Sequence, residues 1–433
     1  MKDKFPVIQL ALDFIDEKRA LKLTEEAVEA GIEWIEVGTP LIKSCGVEII
    51  KKLRSLYPNK KIIADMKIMD AGRIEAEMAF KAGANIVVVM GNASNETIKE
   101  SIEACKNYGG EIMVDLMEES ANLKRAKEVE GLGANYIGVH IPIDQQMTGR
   151  ISFDFLKEVV ENVNIPVAIA GGLNSENVVF AVNAGASILI IGGAITKSPD
   201  VKKAISDIKK AIETKMPVKT FLYKRVNIEN VKDILKKVST ANISDALHRS
   251  GWIKGVKPIL NENFKIVGKC ITVRTYPGDW AKPVEAIDLA EEGDVIIIDA
   301  GGVGPACWGE LATNSAIMKK LEGVVIFGAV RDIEEIIKLK FPVFAKIITP
   351  QAGEPKGFGE INIPIKIEGQ IISPGDWIIG DLDGVVVIPK EKVVEIANRA
   401  MDVLERENRI RKEIIEGETL SKVMDLLRWE KSK

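Results

Sequence analysis

The chain has 433 residues, 46% of them hydrophobic and 28% charged, which suits a soluble globular protein of two or three domains. Its 59 basic residues against 63 acidic ones leave a net charge of −4, so no nucleic-acid partner is expected. Two histidines and four scattered cysteines without a CxxC exclude His-rich metal sites, a zinc ribbon and a disulfide framework. No apolar run reaches the ~18 residues of a membrane helix. Asp13 interrupts the N-terminus before any signal-like stretch forms. A reducing cytoplasmic setting without a membrane partner is the expectation.

In chain order, short β-rich runs alternate with amphipathic stretches through the first half. The predicted strands are residues 7–12, 34–37, 61–64, 86–90, 112–116, 136–139, 166–170 and 188–191. Eight strand–helix units in about 215 residues predict a closed (β/α)8 TIM barrel. A repeat supports this: Gly31, Gly83, Gly133 and Gly185 each stand where a helix gives way to a strand, 52, 50 and 52 residues apart. Glycine suits the left-handed position that closes a helix. A basic helical stretch over 204–224 follows, and the alternation then stops. The barrel is therefore assigned to 1–213 and a linker to 214–228, with the boundary between Glu213 and Asn227. From 229 to 390, short strands joined by PGD and DG turns predict a compact α/β domain with a β-rich core. Residues 391–433 read as a charged helical tail, broken near Gly417, for capping or subunit packing.

In a parallel barrel the active site lies at the C-terminal ends of the strands. Those ends carry Asp13, Glu36, Asp65 with Lys67, Asp115, His140 and the glycine pairs Gly171–Gly172 and Gly192–Gly193. Residues two apart on a strand share a face, so Asp65 and Lys67 are expected to point together into the mouth, with Asp70 just past the strand. Glu36 ends the neighbouring strand as a surface-like position without core packing, and with Asp65 it could share Mg2+. Flanking aspartates favour charged Lys67, which suits an oxyanion stabiliser rather than a Schiff base. For the bare DxKxxD spacing a surface ion-pair cluster is an equal alternative. His140 is either a proton-transfer group or a satisfied core histidine. The two glycine pairs offer backbone N–H groups for a phosphate.

In the second half, a glycine-rich loop precedes a predicted helix from Gly309, and Arg331-Asp332 follows Glu310 at the end of a strand. Arginine beside a carboxylate suits a metal-bound 2-oxo acid, although an ordinary surface ion pair has the same spacing. His248, after a helical stretch, reads as structural.

The motifs LALD, IEVGTPLIKSCG, ADMKIMDAGRIEAEMAFKAGA, VHIPIDQQ, AGG and GGAITKSPDV resemble 3-hexulose-6-phosphate synthase, in the orotidine-monophosphate-decarboxylase superfamily. The resemblance covers about the first 213 residues. It implies Mg2+ on Glu36 and Asp65, Lys67 as enediolate stabiliser, His140 in proton transfer and Asp13 on a substrate hydroxyl. Asp70 would reach across a dimer interface. The implied reactants are ribulose 5-phosphate and formaldehyde. The neighbouring family is 3-keto-L-gulonate-6-phosphate decarboxylase, whose pattern has an arginine where Ile143 stands, between His140 and Asp144. From about Asn230 to Pro389, STANISDAL, WGELATNSA, FGAVRD and PGDWIIGDLDGVVVIP resemble the RraA-like family. That family contains metal-dependent 4-hydroxy-4-methyl-2-oxoglutarate/oxaloacetate-cleaving aldolases and non-catalytic regulators of ribonuclease E. The aldolase-like residues are Glu310, Arg331 and Asp332, implying a divalent metal such as Mg2+ or Mn2+, a 2-oxo acid substrate and a trimeric ring.

Overall fold

The computed structural model describes residues 6–141, 153–220, 226, 228–415 and 417–423. They fall into two compact units, the first holding the described residues up to 220 and the second those from 226 onward.

The first unit is a closed barrel of eight parallel strands: β1 (Val7–Leu12), β2 (Trp34–Val37), β3 (Lys61–Ile68), β4 (Ile86–Met90), β5 (Glu111–Leu116), β6 (Tyr136–His140), β7 (Val167–Ala170) and β8 (Ile188–Ile191). β8 closes on β1 with Val7 opposite Ile188 and Leu10 opposite Ile191. Strand residues alternate between two apolar layers. Outward residues such as Leu10, Leu12, Ile35 and Ile62 pack under the helices. Inward residues Ile63, Ile86, Val88, Met113, Ala168 and Ile188 fill the interior. Removing one such buried side chain to Ala costs roughly 2–5 kcal/mol, so both layers are needed. The period of two then carries the inward face up to Glu36, Asp65, Asp115 and His140 at the strand ends. The four repeat glycines all have positive φ, between 83° and 103°.

Two expectations change. β3 does not stop at Ala64 but runs to Ile68, and its register against β4 shifts between Ala64 and Ile68. Lys67 sits in that bulge at φ 46°, so simple alternation does not set its direction. The last barrel helix spans Val201–Thr214 rather than continuing through 224. Lys215 takes a left-handed turn, and Pro217 has no N–H with which to continue the ladder. Residues beyond it fold back: Val218 N–H donates to Ser175 O at 2.9 Å and Thr220 N–H to Glu176 Oε1 at 2.9 Å.

The second unit is a nine-stranded mixed sheet with helices packed on it. Its strands are β9 (Lys257–Pro258), β10 (Ile266–Thr275), β11 (Val295–Asp299), β12 (Ala306–Trp308), β13 (Gly323–Val330), β14 (Val343–Ile348), β15 (Gly359–Ile361), β18 (Trp377–Asp381) and β19 (Gly384–Ile388), while β16 (Ile365–Ile367) and β17 (Gln370–Ile372) form a separate hairpin. The order is β19-β18-β10-β11-β13-β14-β9, with β12 on β13 and β15 on β10. Ile253 N–H donates to Val385 O on one edge while Lys257 pairs with Ala345 on the other, so one short segment nearly closes the sheet. The expected α/β domain with a β-rich core is present, and the DG turn at Asp383-Gly384 joins β18 to β19. The tail forms a helix over Val393–Ile415 and a turn of helix at Leu420–Val423, on either side of Gly417. Asn398 on that helix is fully buried and holds both backbone groups of Val226. Among the described residues no helix is long and apolar enough to cross a membrane, and all four cysteines are free.

Candidate active site

Four of the expected side chains form one connected chain at the barrel mouth. Lys67 Nζ lies 3.2 Å from the Asp65 carboxylate and 3.0 Å from Asp115 Oδ2. His140 Nδ1 lies 2.9 Å from the same Asp115 oxygen. An ionised carboxylate only accepts, so Nδ1 carries the proton and Nε2 is left basic. Burial pulls the Lys67 ammonium down, but Asp115 and Asp65 outweigh it and raise the lysine. Burial also opposes charge on His140, and Asp115 again prevails and raises it. For Asp115 burial acts upward, yet His140 and Lys67 bring it down to about 2. Asp115 is thus the anionic hinge between lysine and histidine. Its place in the ring of strand-end charges was legible, but its two partners were not.

Glu36 differs from expectation. It is buried, not surface-like, because the inward face of β2 stands under the mouth rather than on its rim. Burial first, then Asp65 and Asp13, hold its carboxyl well above the usual range, and a hydrogen bond from Gln9 Nε2 at 2.6 Å opposes them. Asp13 is exposed at the rim, yet its carboxyl is also raised, by desolvation and by Asp65. Thr39 Oγ1 donates to Asp65 Oδ2 at 2.9 Å. Gly38 admits Asp13: a Cβ there would stand 2.3 Å from Asp13 Oδ1 and 2.6 Å from Leu12 O. The sequence assigned no role to Gln9, Thr39 or Gly38, although the last two lie within IEVGTPLIKSCG, since each is a small or polar residue inside an otherwise apolar or helical run.

Asp65 raises the cost of ionising both Asp13 and Glu36, which a hard divalent cation would relieve. Their oxygen donors suit Mg2+. Among the described residues no three His, Cys, Asp or Glu side chains form a ready metal cage. Glu36 and Asp65 are the residues that could hold such an ion, with water and substrate oxygens in the other positions.

Gly171 and Gly172 are both left-handed, and Asn177 Nδ2 donates to Gly172 O at 2.9 Å, shaping the turn after β7. Gly193 opens the short helix Gly193–Thr196, with Gly192 as its cap. Asp70 does not join the cluster within its own chain. It is exposed, and its carboxylate accepts from Ala71 N–H at 2.7 Å. Ile143 and Asp144 lie outside the described residues.

At the opposite end of the barrel, Lys61 Nζ lies 2.5 Å from Glu111 and 4.7 Å over the Trp34 ring, while Tyr136 OH donates to Glu111 at 3.0 Å. This plug at the strand starts belongs to the stability face of the fold.

In the second unit Glu310 opens helix Glu310–Met318, and Asp332 follows β13 at φ 58°. Glu310 N–H donates to Asp332 Oδ2 at 3.2 Å, and Arg331 Nε lies 3.3 Å from the same oxygen. Asn314 Nδ2 donates to Glu310 Oε1. The three predicted residues are therefore neighbours at one strand end. Glu310 and Asp332 offer hard oxygen donors that would accommodate one divalent cation. His248 is exposed and left-handed just after helix Thr240–Ala246.

Comparison with known proteins agrees with this division. The sequence model described as orotidine 5'-phosphate decarboxylase / HUMPS family matches residues 6–208, and that described as RraA-like, Aldolase/RraA, matches 240–387. The 3-hexulose-6-phosphate synthase of Methylomonas aminofaciens is 40% identical over 201 residues, covering 46% of this chain and 96% of that protein. The enzyme of the same name from Bacillus subtilis strain 168 is 36% identical, covering 47% and 98%. A crystal structure of a 3-hexulose-6-phosphate synthase is 35% identical with a TM-score of 0.46, covering 47% of this chain and 99% of that one. Through its barrel the chain belongs to the orotidine 5'-phosphate decarboxylase / HUMPS family, and it carries that barrel fused to an RraA-like domain.

Proposed function

We propose that the barrel is a Mg2+-dependent aldehyde-lyase that joins formaldehyde to ribulose 5-phosphate, giving 3-hexulose 6-phosphate, or runs the reverse to supply pentose phosphate. The carrying observation is the Lys67–Asp115–His140 chain beside the carboxylates of Glu36 and Asp65. Neutral His140 takes a proton from C1 of the sugar through Nε2, and the electron pair stays on the substrate as an enediolate. Lys67, held charged, stabilises the oxygen that gains charge. C1 then bonds to the formaldehyde carbon. The carbonyl pair moves to the formaldehyde oxygen, which takes the proton back from His140. Bound Mg2+ would add positive charge where the sugar oxygens meet Glu36 and Asp65. Asp13 is placed to bond a substrate hydroxyl, and the backbone amides at Gly171–Gly172 and Gly192–Gly193 to hold the phosphate. Exposed Asp70 is free to serve the mouth of a second copy in a dimer. Ile143, in place of an arginine, favours the aldol reaction over 3-keto-L-gulonate 6-phosphate decarboxylation.

For the second domain the grouping of Glu310, Arg331 and Asp332 supports a metal-dependent 2-oxo-acid aldolase or decarboxylase over a regulatory protein-binding module. The deciding experiment for the barrel is formaldehyde-dependent consumption of ribulose 5-phosphate by the full chain. Without consumption, and with decarboxylation of 3-keto-L-gulonate 6-phosphate instead, the aldol assignment falls. Pyruvate release from oxaloacetate with Mg2+ decides the second domain.

A further inference from the structure

Gln9 is fully buried on the inward face of β1, opposite Trp34 and one step below Ala11, the strand partner of Glu36. Its neighbours in this layer are apolar: Ile190 is its partner on β8, and Ile188 and Ile63 belong to the same interior cluster. Its Nε2 donates to Glu36 Oε2 at 2.6 Å, while its Oε1 is a buried acceptor with no hydrogen-bond partner. A bare buried acceptor destabilises a fold, and an apolar side chain of similar length would fill the same layer without that penalty. The benefit of glutamine at this position must therefore lie at Glu36. Against the ionised Glu36 that a cation ligand requires, turning the amide over would set oxygen against oxygen, so the donor orientation is the one that suits this role.

We infer that Gln9 is a positioning residue for the cation site. Its N–H fixes the rotation of the Glu36 carboxylate and occupies Oε2, leaving Oε1 as the oxygen offered to a divalent cation. Gln9 itself touches neither cation nor substrate, because it is sealed beneath the mouth. This rests on the reading of Glu36 as a cation ligand.

The test is a Mn2+ titration of the full chain carrying Glu310→Gln and Asp332→Asn, which remove the cation donors proposed for the second domain, in the absence of substrate, followed by electron paramagnetic resonance of the free ion, together with thermal unfolding. Gln9→Met should bind Mn2+ roughly tenfold more weakly, as when a partner of a metal ligand is lost. Its Tm should stay within a few degrees of the parent's, since the bare acceptor goes while Glu36 Oε2 loses its donor. In a Glu36→Gln background the same change should cause no further loss. Parent-like Mn2+ affinity in Gln9→Met, alongside weakened binding in Glu36→Gln, would overturn the role of Gln9 alone. Parent-like binding in Glu36→Gln would overturn the reading of Glu36 and the inference with it. An insoluble Gln9→Met, with Gln9→Leu behaving alike, would show a purely structural glutamine and overturn the inference as well.

Discussion

His140 Nδ1 stands 2.9 Å from Asp115 Oδ2, the same oxygen that receives Lys67 Nζ at 3.0 Å. One buried carboxylate thus sets the tautomer of the histidine and the charge of the lysine at once. Both groups depend on it, and it depends on both: burial alone would raise Asp115, yet the pair brings it down to about 2.

Asp115→Asn should therefore change the pH profile as well as the rate. His140 acts as a base only when neutral, and Asp115 raises its pKa above the ordinary imidazole value. Without that anion the acid limb of kcat/KM for ribulose 5-phosphate should move to lower pH. The maximal rate should fall roughly a hundredfold, within the range of general acid–base effects. An unmoved limb would separate Asp115 from His140. The sign for stability follows from the lowered pKa of Asp115. Its contribution is present above the unfolded carboxylate value of about 3.9 and is lost as the pH falls toward about 2. Asp115→Asn should lack that acid-dependent step in urea unfolding.

Glu36→Gln should lose activity and Mg2+ dependence while keeping the fold. The ionised Glu36 is disfavoured by burial and by Asp65, so its folded pKa lies above its unfolded one. Such a group opposes folding once the pH exceeds the unfolded value. At neutral pH the neutral amide should therefore leave Tm unchanged or higher. Full activity of this variant, or of the parent in EDTA, is incompatible with the proposed cation site.

Lys67→Ala should cost about 3 kcal/mol of transition-state stabilisation, the size of one oxyanion-stabilising donor. The loss should appear mainly in kcat, because the enediolate charge exists only after proton removal. Lys67 is held charged by Asp115 and Asp65, and imine formation needs the free amine. Borohydride with ribulose 5-phosphate should leave no adduct on Lys67. A trapped peptide containing it would require a Schiff-base mechanism.

A chain truncated after Thr220 should fold and keep the barrel's activity. One truncated after Glu213 should unfold at a lower temperature. The shorter form loses the last residue of helix Val201–Thr214 and the hydrogen bonds that tie Val218 and Thr220 to Ser175 and Glu176. At about 1 kcal/mol for each, the difference should amount to several degrees in Tm. Equal melting temperatures would show that residues 214–220 contribute nothing to the barrel.

Much of this protein was legible in one dimension because parallel strands and their helices impose local periods. Apolar runs of four to eight residues, each followed by an amphipathic stretch, specify strand–helix units. The glycines at 31, 83, 133 and 185 mark their repeat through a backbone angle only glycine adopts cheaply. Charges at the ends of those runs, Glu36, Asp65, Asp115 and His140, had to lie at one end of the barrel whatever the details of packing. What chain order could not decide is which of them touch. Asp115 meets Lys67 and His140 because the barrel closes and β3 bulges at Lys67, neither of which leaves a trace in residue type. The burial of Glu36, and the bond it takes from a glutamine 27 residues earlier, arise only when β1 and β2 align in register. Local sequence determines the elements and the end of the sheet where chemistry gathers. Closure and register, which depend on contacts far apart in the chain, decide the partners and hence the charge each group carries.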